Sequence, residues 1–351
     1  MPEIIKGKHS GKPSGAFMRH LRLKHLFIGL LFGSQLASAA PVYLNEAFDF
    51  NAYIMENMTG TQSDVEGTLA VGGDLNLQHY GIGLELPENG QQNTLTVGGN
   101  VTMRDARIYN GDAVAGGTID IDSSVGLYGV NATNNTHSFY NDSSFDFTSI
   151  NQDLLTTSSL WGALSDNATT TVTGNGTDVW SISFDGNSDF NVFSIDASTL
   201  SAANKSIYLN VDTDSYNIIN VTGTDVSLFN TGFYGADGNK IADNQPGVYR
   251  HDGTYANNVL FNFVDATSLT LNAIGFKGSI LAPLADTVFY DGHIDGNFIV
   301  KSLTSPVGTL TGQINNYQFG NFTVSEPGGA LFFVILMAFG LRQYLLKSKA
   351  F

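Results

Sequence analysis

Thr68-Leu-Ala-Val-Gly-Gly-Asp-Leu-Asn-Leu77 is the stretch from which the fold can be read. It holds two short alternations of apolar and polar residues separated by a glycine pair. Strict alternation over a few residues marks a strand with one buried face. A glycine pair between such strands marks a tight corner, for which positive φ is the expected device. The arrangement returns as Thr94-Leu-Thr-Val-Gly-Gly-Asn-Val-Thr-Met103 and as Ala115-Gly-Gly-Thr-Ile-Asp-Ile121. The corners at Gly72, Gly98 and Gly116 are unequally spaced, so the repeat is loose. Further alternations follow at Ser206-Ile-Tyr-Leu-Asn-Val211 and Ser268-Leu-Thr-Leu271. Many short strands with such corners predict a mainly β domain, solenoid or sandwich. The lack of a fixed period counts against the solenoid.

One segment departs from the alternation. Phe147, Ile150, Leu154, Trp161 and Leu164 fall at helical offsets, with Asn151, Gln152 and Asp153 between them. This predicts an amphipathic helix over 142–164, broken near Thr156–Ser159, that lies along the β stack with Trp161 in its core.

The chain has 351 residues, 16 basic and 32 acidic, for a formal net charge of −16. Hydrophobic residues make up 42%, enough for a core, and charged residues only 14%. The acidic balance argues against nucleic-acid binding, which needs a basic stripe to neutralise phosphates. With no cysteine, disulfide frameworks, thiolate zinc sites and thiol catalysis are excluded.

Both ends read as addresses. Lys6, Lys8, Lys12, Arg19, Arg22 and Lys24 precede an apolar stretch, Leu26–Phe32, and the small-x-small pattern Ala37-Ser38-Ala39. That is a secretory signal helix cut by signal peptidase after Ala39, with Met18 as an alternative start to Met1. At the other end an apolar run from Ala330 reaches Leu346, interrupted by Arg342 and followed by Lys347 and Lys349. At ~1.5 Å per residue it spans about 25 Å, enough for a transmembrane helix in a thin bilayer. Arg342, Lys347 and Lys349 would hold its end in the cytoplasm. The topology expected is a central domain outside the inner membrane and a C-terminus inside. Residues 41–325 then keep seven basic and 30 acidic residues. Such a domain repels anionic surfaces and is a candidate Ca²⁺ sponge.

The tail Ser325-Glu326-Pro327-Gly-Gly with its apolar run and basic end resembles a PEP-CTERM sorting signal. Ser325 stands where the first proline of that motif is usual, and Gln343–Leu346 dilute the basic end. The resemblance implies processing near Glu326 and Pro327 by an exosortase, a membrane transpeptidase, and a Gram-negative source. A plain transmembrane anchor is the alternative. The division expected is 1–39 signal peptide, 40–321 β domain and 322–351 sorting tail.

A second resemblance covers roughly 44–318. Phe48-Asp-Phe-Asn-Ala-Tyr-Ile54, Ser63-Asp-Val-Glu-Gly67 and Ala70-Val-Gly-Gly-Asp-Leu75 look like the opening of the choice-of-anchor A domain. Gly278-Ser-Ile-Leu-Ala-Pro283 and Gly292-His-Ile-Asp-Gly-Asn-Phe-Ile-Val300 look like its closing motif. That family occurs with different C-terminal anchors and is associated with surface adhesins, some of them collagen-binding. Its closing motif also resembles the end of the β-helical ice-binding fold. The resemblance implies a right-handed β-helix with a flanking helix, and it brings no catalytic residues.

Few residues suggest chemistry. His79, His137, His251 and His293 form no zinc-hydrolase spacing, and His293 reads as a turn or rung residue. Asp120/Asp122 and Asp212/Asp214 are i, i+2 pairs, expected to share a strand face. They could serve as a glycosidase pair or hold Ca²⁺, but an excess of acids produces such pairs by chance. Asp64, Glu66 and Gly67 read as a turn cap rather than a ligand site. Gly72 and Gly73 lead into a strand, not the helix a phosphate loop needs. Gly278 and Pro283 belong to the closing motif. Asn-x-Ser/Thr matches such as Asn131 and Asn167 reflect composition. No metal site is firm.

The function expected is therefore non-enzymatic: an exported surface or matrix adhesin that binds an extracellular polysaccharide or fibrous protein and needs no cofactor, with Ca²⁺ optional. Ice binding would need a flat array of threonines, whereas Thr94/Thr96 and Thr222/Thr224 read as isolated pairs. A carbohydrate-active enzyme using Asp120 or Asp212 is the other alternative.

Overall fold

Ten parallel rungs stack on one face of the protein, and they are not in chain order. In the computed structural model the inward column runs Phe193, Ile219, Phe261, Ile280, Phe298, Ala52, Leu69, Leu95, Ala113, Phe139. The structure describes residues 40–42, 44–87, 93–129, 137–175, 178–243, 253–320 and 322–324. Ala37, Ala39, Glu326, Pro327, Arg342, Lys347 and Lys349 lie outside the described residues, as do both expected terminal helices. Among the described residues no helix is long and apolar enough to cross a membrane. The chain divides into two units, Val42–Phe322 and the chain ends. Short strands Ala40–Val42 and Phe322–Val324 pair in a separate two-stranded sheet.

Each coil of Val42–Phe322 visits three faces. In the N-terminal half the chain runs along Ala52–Ile54, then Met58–Val65, which bends across two faces, and returns at Leu69–Val71. It repeats through Leu75–Ile82, Asn93–Val97, Val101–Arg104 and Arg107–Tyr109. The solenoid-like β domain that the family resemblance implied is thus present, despite the loose period that counted against it. The coils from Ala52 to Leu69 and from Leu95 to Ala113 are short and nearly equal in length. Those from Leu69 to Leu95 and from Ala113 to Phe139 are longer and equal to each other, because extra residues enter at the same corner. A regular basic coil was hidden by insertions at one place.

The glycine pairs serve close stacking rather than left-handed backbone. None of Gly72, Gly73, Gly98, Gly99, Gly116 and Gly117 has positive φ. A Cβ on Gly72 would lie 2.3 Å from the Met55 carbonyl oxygen, and one on Gly98 equally close to that of Gly72. The corners lie directly on one another, and only hydrogen fits between them.

The two halves grow towards opposite ends and meet in the middle. Ala52 pairs with Leu69 on one side and with Phe298 on the other. Met58 likewise pairs with Leu303, and Val65 with Ile314. The first and last coils of the chain thus form a seam at mid-length. Buried amides fasten it. Asn51 Nδ2 donates to the Asn315 carbonyl at 2.9 Å, and Asn297 Nδ2 to that of Phe50 at 2.7 Å.

The helix Phe147–Gly162 joins the halves across this seam. Its 16 residues span about 24 Å, roughly five rung spacings. Asp146 caps it by accepting from Ser149 N at 3.0 Å. It buries Ile150, Leu154, Ser158 and Trp161. It is continuous where a break was expected, because Ser158 faces inward: its hydroxyl donates to Asn262 Oδ1 at 2.6 Å. Asn262 donates to Asn220, and Asn220 to the Trp161 carbonyl. Trp161 is 5% exposed, packed against Phe48. An antiparallel strand, Thr169–Asn175, pairs with Asp178–Asp185 at the far end of the C-terminal half.

Candidate binding face

Of the three faces, the helix covers one. The face built by Asp225–Phe229, Ser268–Asn272, the end of Ser279–Tyr290, the end of Phe298–Thr304, the start of Met58–Val65, the start of Leu75–Ile82, Val101–Arg104 and Ile119–Ile121 carries an open polar file. Its inward column includes Val226, Leu269, Leu303, Met58, Leu75 and Val101. Alternation turns the next residue of each rung outward. The outward file runs Ser227, Thr270, Val288, Thr304 in one half. In the other it runs Thr59, Asn76, Thr102, Asp120. The Leu303–Met58 register brings Thr304 beside Thr59 at the seam. All eight are exposed or half-buried. Eight ranks at ~4.8 Å make a strip about 34 Å long.

Polar ladders border the strip. On one flank Asn57 Oδ1 accepts from Asp74 N at 2.8 Å, Asp74 Oδ1 from Asn100 N at 2.7 Å, and Asn100 Oδ1 from Thr118 N at 2.9 Å. These bonds hold successive corners in register. Further along the same flank, Asp286 accepts from Ser302 Oγ at 2.7 Å and from Lys301 at 3.1 Å. The Ser302 bond above all, and then the Lys301 bond, keep its carboxyl below the usual range. On the other flank lie Thr61, Gln78 and Arg104, then Asn272 and Tyr290.

The strip offers no free cation. Arg104 grips Asp120 at 2.9 Å and reaches Asp122 at 3.5 Å. Arg107 pairs with Asp105, Lys240 with Asp243, Lys277 with Asp295, and Lys301 with Asp286. Lys205 is buried against the Ala202 carbonyl and Thr231, and burial pushes its pKa down to about 8. Among the described residues every basic side chain is thus engaged or buried, while most carboxylates face solvent without a counter-ion. A polyanion would meet repulsion along the strip.

The sequence-derived residues divide by location. Asp64 and Glu66 lie on the third face at the seam, and both are held by the fold. Glu66 Oε2 accepts from Asn316 N at 2.9 Å. Asp64 Oδ1 is buried without a hydrogen-bond partner, and burial, then the Glu66 charge, push its pKa up to about 6. Gly67 N donates to Asn51 Oδ1, and a Cβ there would strike Asn51 and Asn316 at 2.6 Å. Gly278, with φ +110°, turns under the Val259 carbonyl, and Pro283 is buried within Ser279–Tyr290. Gly72 and Gly73 are stacking corners. Asp120 and Asp122 share one guanidinium. Asp212 and Asp214 do not share a strand face, since they lie in the turn after Ser206–Asn210, where Asp214 N donates to Asp212. His293 opens the rung His293–Asp295, 3.4 Å from Asp243. His79 pairs with Asp105 and His137 with Asp112; His251 lies outside the described residues. Among the described residues no group of three His, Asp or Glu could hold a metal ion.

The threonines flagged in the sequence are not those of the strip. Thr94 and Thr96 are buried, and Thr94 donates to the Tyr109 carbonyl at 2.8 Å. Thr59, Thr102, Thr270 and Thr304 form the file instead. Each sits beside an inward apolar residue of its rung, but only the rung register brings them into line. A concavity of about 490 Å³ lies between Gly72 and Gly98 and the residues leading into the helix, Asp142–Thr148.

A family model described as "Putative Ice-binding-like adhesive domain" matches residues 43–316. No curated protein and no solved structure matches the chain.

Proposed function

As the chain belongs to the ice-binding-like adhesive domain family, we propose that it is an exported, non-enzymatic adhesin that lays its polar strip along a neutral extracellular polymer. The eight-rank file across the seam supports this reading. Six of the eight ranks, all but Val288 and Asp120, carry a hydroxyl or an amide and offer donors and acceptors to an extended chain. The engaged cations and exposed carboxylates favour a neutral polysaccharide or fibrous protein over a polyanion. Ca²⁺ would act only by screening or bridging those carboxylates. In the finer reading the domain is of the choice-of-anchor A type. Signal peptidase would cut after Ala39. An exosortase would act at Glu326-Pro327, and the domain would then stay at the cell surface or in the matrix.

The test is binding of the purified chain to neutral polysaccharides and to collagen, with and without Ca²⁺. The double variant Thr59→Arg/Thr304→Arg places two bulky cations at the centre of the strip. It should cost at least tenfold in affinity and change stability by less than about 0.5 kcal/mol, as exposed substitutions do. Loss of stability without loss of binding would remove the strip from the reading. Ice binding finds less support, because Val288, Asn76 and Asp120 interrupt the threonines and charged flanks hold their own water. Thermal hysteresis from the wild type, lost in the same variant, would reverse that preference.

A further inference from the structure

We propose that Lys277 and Asp295 are joined by an intramolecular isopeptide bond. The two residues are register partners on neighbouring rungs of the third face, Gly275–Lys277 and His293–Asp295. Both side chains are withdrawn from water, Lys277 at 2% exposure and Asp295 at 0%. Lys277 Nζ lies 2.6 Å from Asp295 Oδ2. An ion pair so buried loses the hydration of both charges, and an uncharged amide does not.

The surroundings supply what the condensation needs. Asn315, the partner of Asp295 on the next rung, donates its Nδ2 to Asp295 Oδ1. That donor sits where negative charge develops when a nucleophile adds to the carboxyl carbon. Asp243 Oδ1 lies 3.0 Å from Lys277 Nζ. Hydrogen bonds from His293 and Lys277 hold Asp243 ionised, well below the usual carboxylate range. It thus rests as a carboxylate, and its place beside Nζ rather than its basicity lets it take the proton that the adding amine releases.

The steps balance without a further reactant. Lys277 gives one ammonium proton to Asp295 Oδ2, which makes a neutral amine and a neutral acid. The amine nitrogen adds to Asp295 Cγ, and Asp243 accepts its next proton while Asn315 steadies the oxyanion at Oδ1. Asp243 returns that proton to Oδ2, the Cγ–Oδ2 bond breaks, and one water leaves. The new bond is Nζ–Cγ. Nothing is oxidised or reduced.

The bond is independent of the adhesive reading; only its use depends on that reading. In an adhesin pulled from residue 320 onwards, load reaches the last rungs first. The cross-link would carry that load from 295 to 277 and spare residues 278–294.

Tryptic mapping of the full, denatured chain decides the matter. Acylated Lys277 resists trypsin, so one peptide covering 251–301 is expected, lighter than its sequence mass by one water, about 18 Da. Lys277→Met should give the same peptide at its unshifted mass. Asp243→Asn should slow formation of the linked form at least tenfold on refolding. Separate peptides 251–277 and 278–301 from the wild type would overturn the proposal. So would a loss of ammonia linking Lys277 to Asn315. Neither result depends on polymer binding, so the two readings fail separately.

Discussion

Asp64 shows how one carboxyl can oppose the fold that holds it. Its Oδ1 is buried and lacks a donor, and Glu66 adds like charge. Its pKa therefore rises from 3.8 to about 6. For an acid with a raised native pKa the stabilising contribution is present while the group is protonated. It is full below about pH 4, is lost as pH rises towards 6, and stays lost above. A shift of about two units corresponds to at most roughly 3 kcal/mol. Asp64→Asn removes the ionisation. The variant should be about 1–2 kcal/mol more stable than wild type at pH 7.5 and equal to it below pH 4. Urea midpoints at the two pH values measure this. A variant less stable than wild type at pH 7.5 but equal to it below pH 4 would mean that Asp64 is wanted in its charged form.

At the scale of the element, the glycine corners set how closely coils stack. Gly98→Ala puts a methyl 2.3 Å from the Gly72 carbonyl oxygen of the neighbouring coil. It should cost about 1–3 kcal/mol, as overpacking does. Gly81→Ala meets only Asp64 Cβ at 3.3 Å and should cost less than half as much. Urea melts of the two variants compare them directly; equal losses would mean that backbone freedom, not proximity, selects the glycines. The repeated Val-Gly-Gly corners were legible because their pattern is local. So was the helix, from Ile150, Leu154 and Trp161. The continuity of that helix was not, since Ser158 looks like a breaker until Asn262 is known to face it. The binding strip was also hidden. Thr59 and Thr304 stand near opposite ends of the domain's sequence, and nothing close to either marks the other as its neighbour. Phe48–Ile54 and Gly292–Val300 both stand out in the sequence, yet their meaning as two sides of one seam appears only in the register.

At the scale of the molecule, the halves share one hydrogen-bonded ladder. Neither has a finished interior edge without the other, because Ala52–Ile54 needs Phe298–Val300 and Met58 needs Leu303. Val42–Phe322 should therefore unfold in one step, with calorimetric and van't Hoff enthalpies equal. Removing residues 293–320 should abolish that step altogether rather than leave a stable N-terminal half. Two separate transitions in calorimetry would show that the seam couples the halves only weakly.

The seam also sets a clock. A chain made from its N-terminus completes strand Ala52–Ile54 early, but the strand that covers it, Phe298–Val300, is made near the domain's end. At about 5–20 residues per second that delay is roughly 12–50 seconds. During it the first coil offers bare backbone donors and acceptors to any passing strand, the situation that invites mispairing. Contacts of such long sequence separation also close slowly once their partners are present. Assembly cannot finish until almost the whole domain has emerged, so a chain halted midway has no finished half to fall back on.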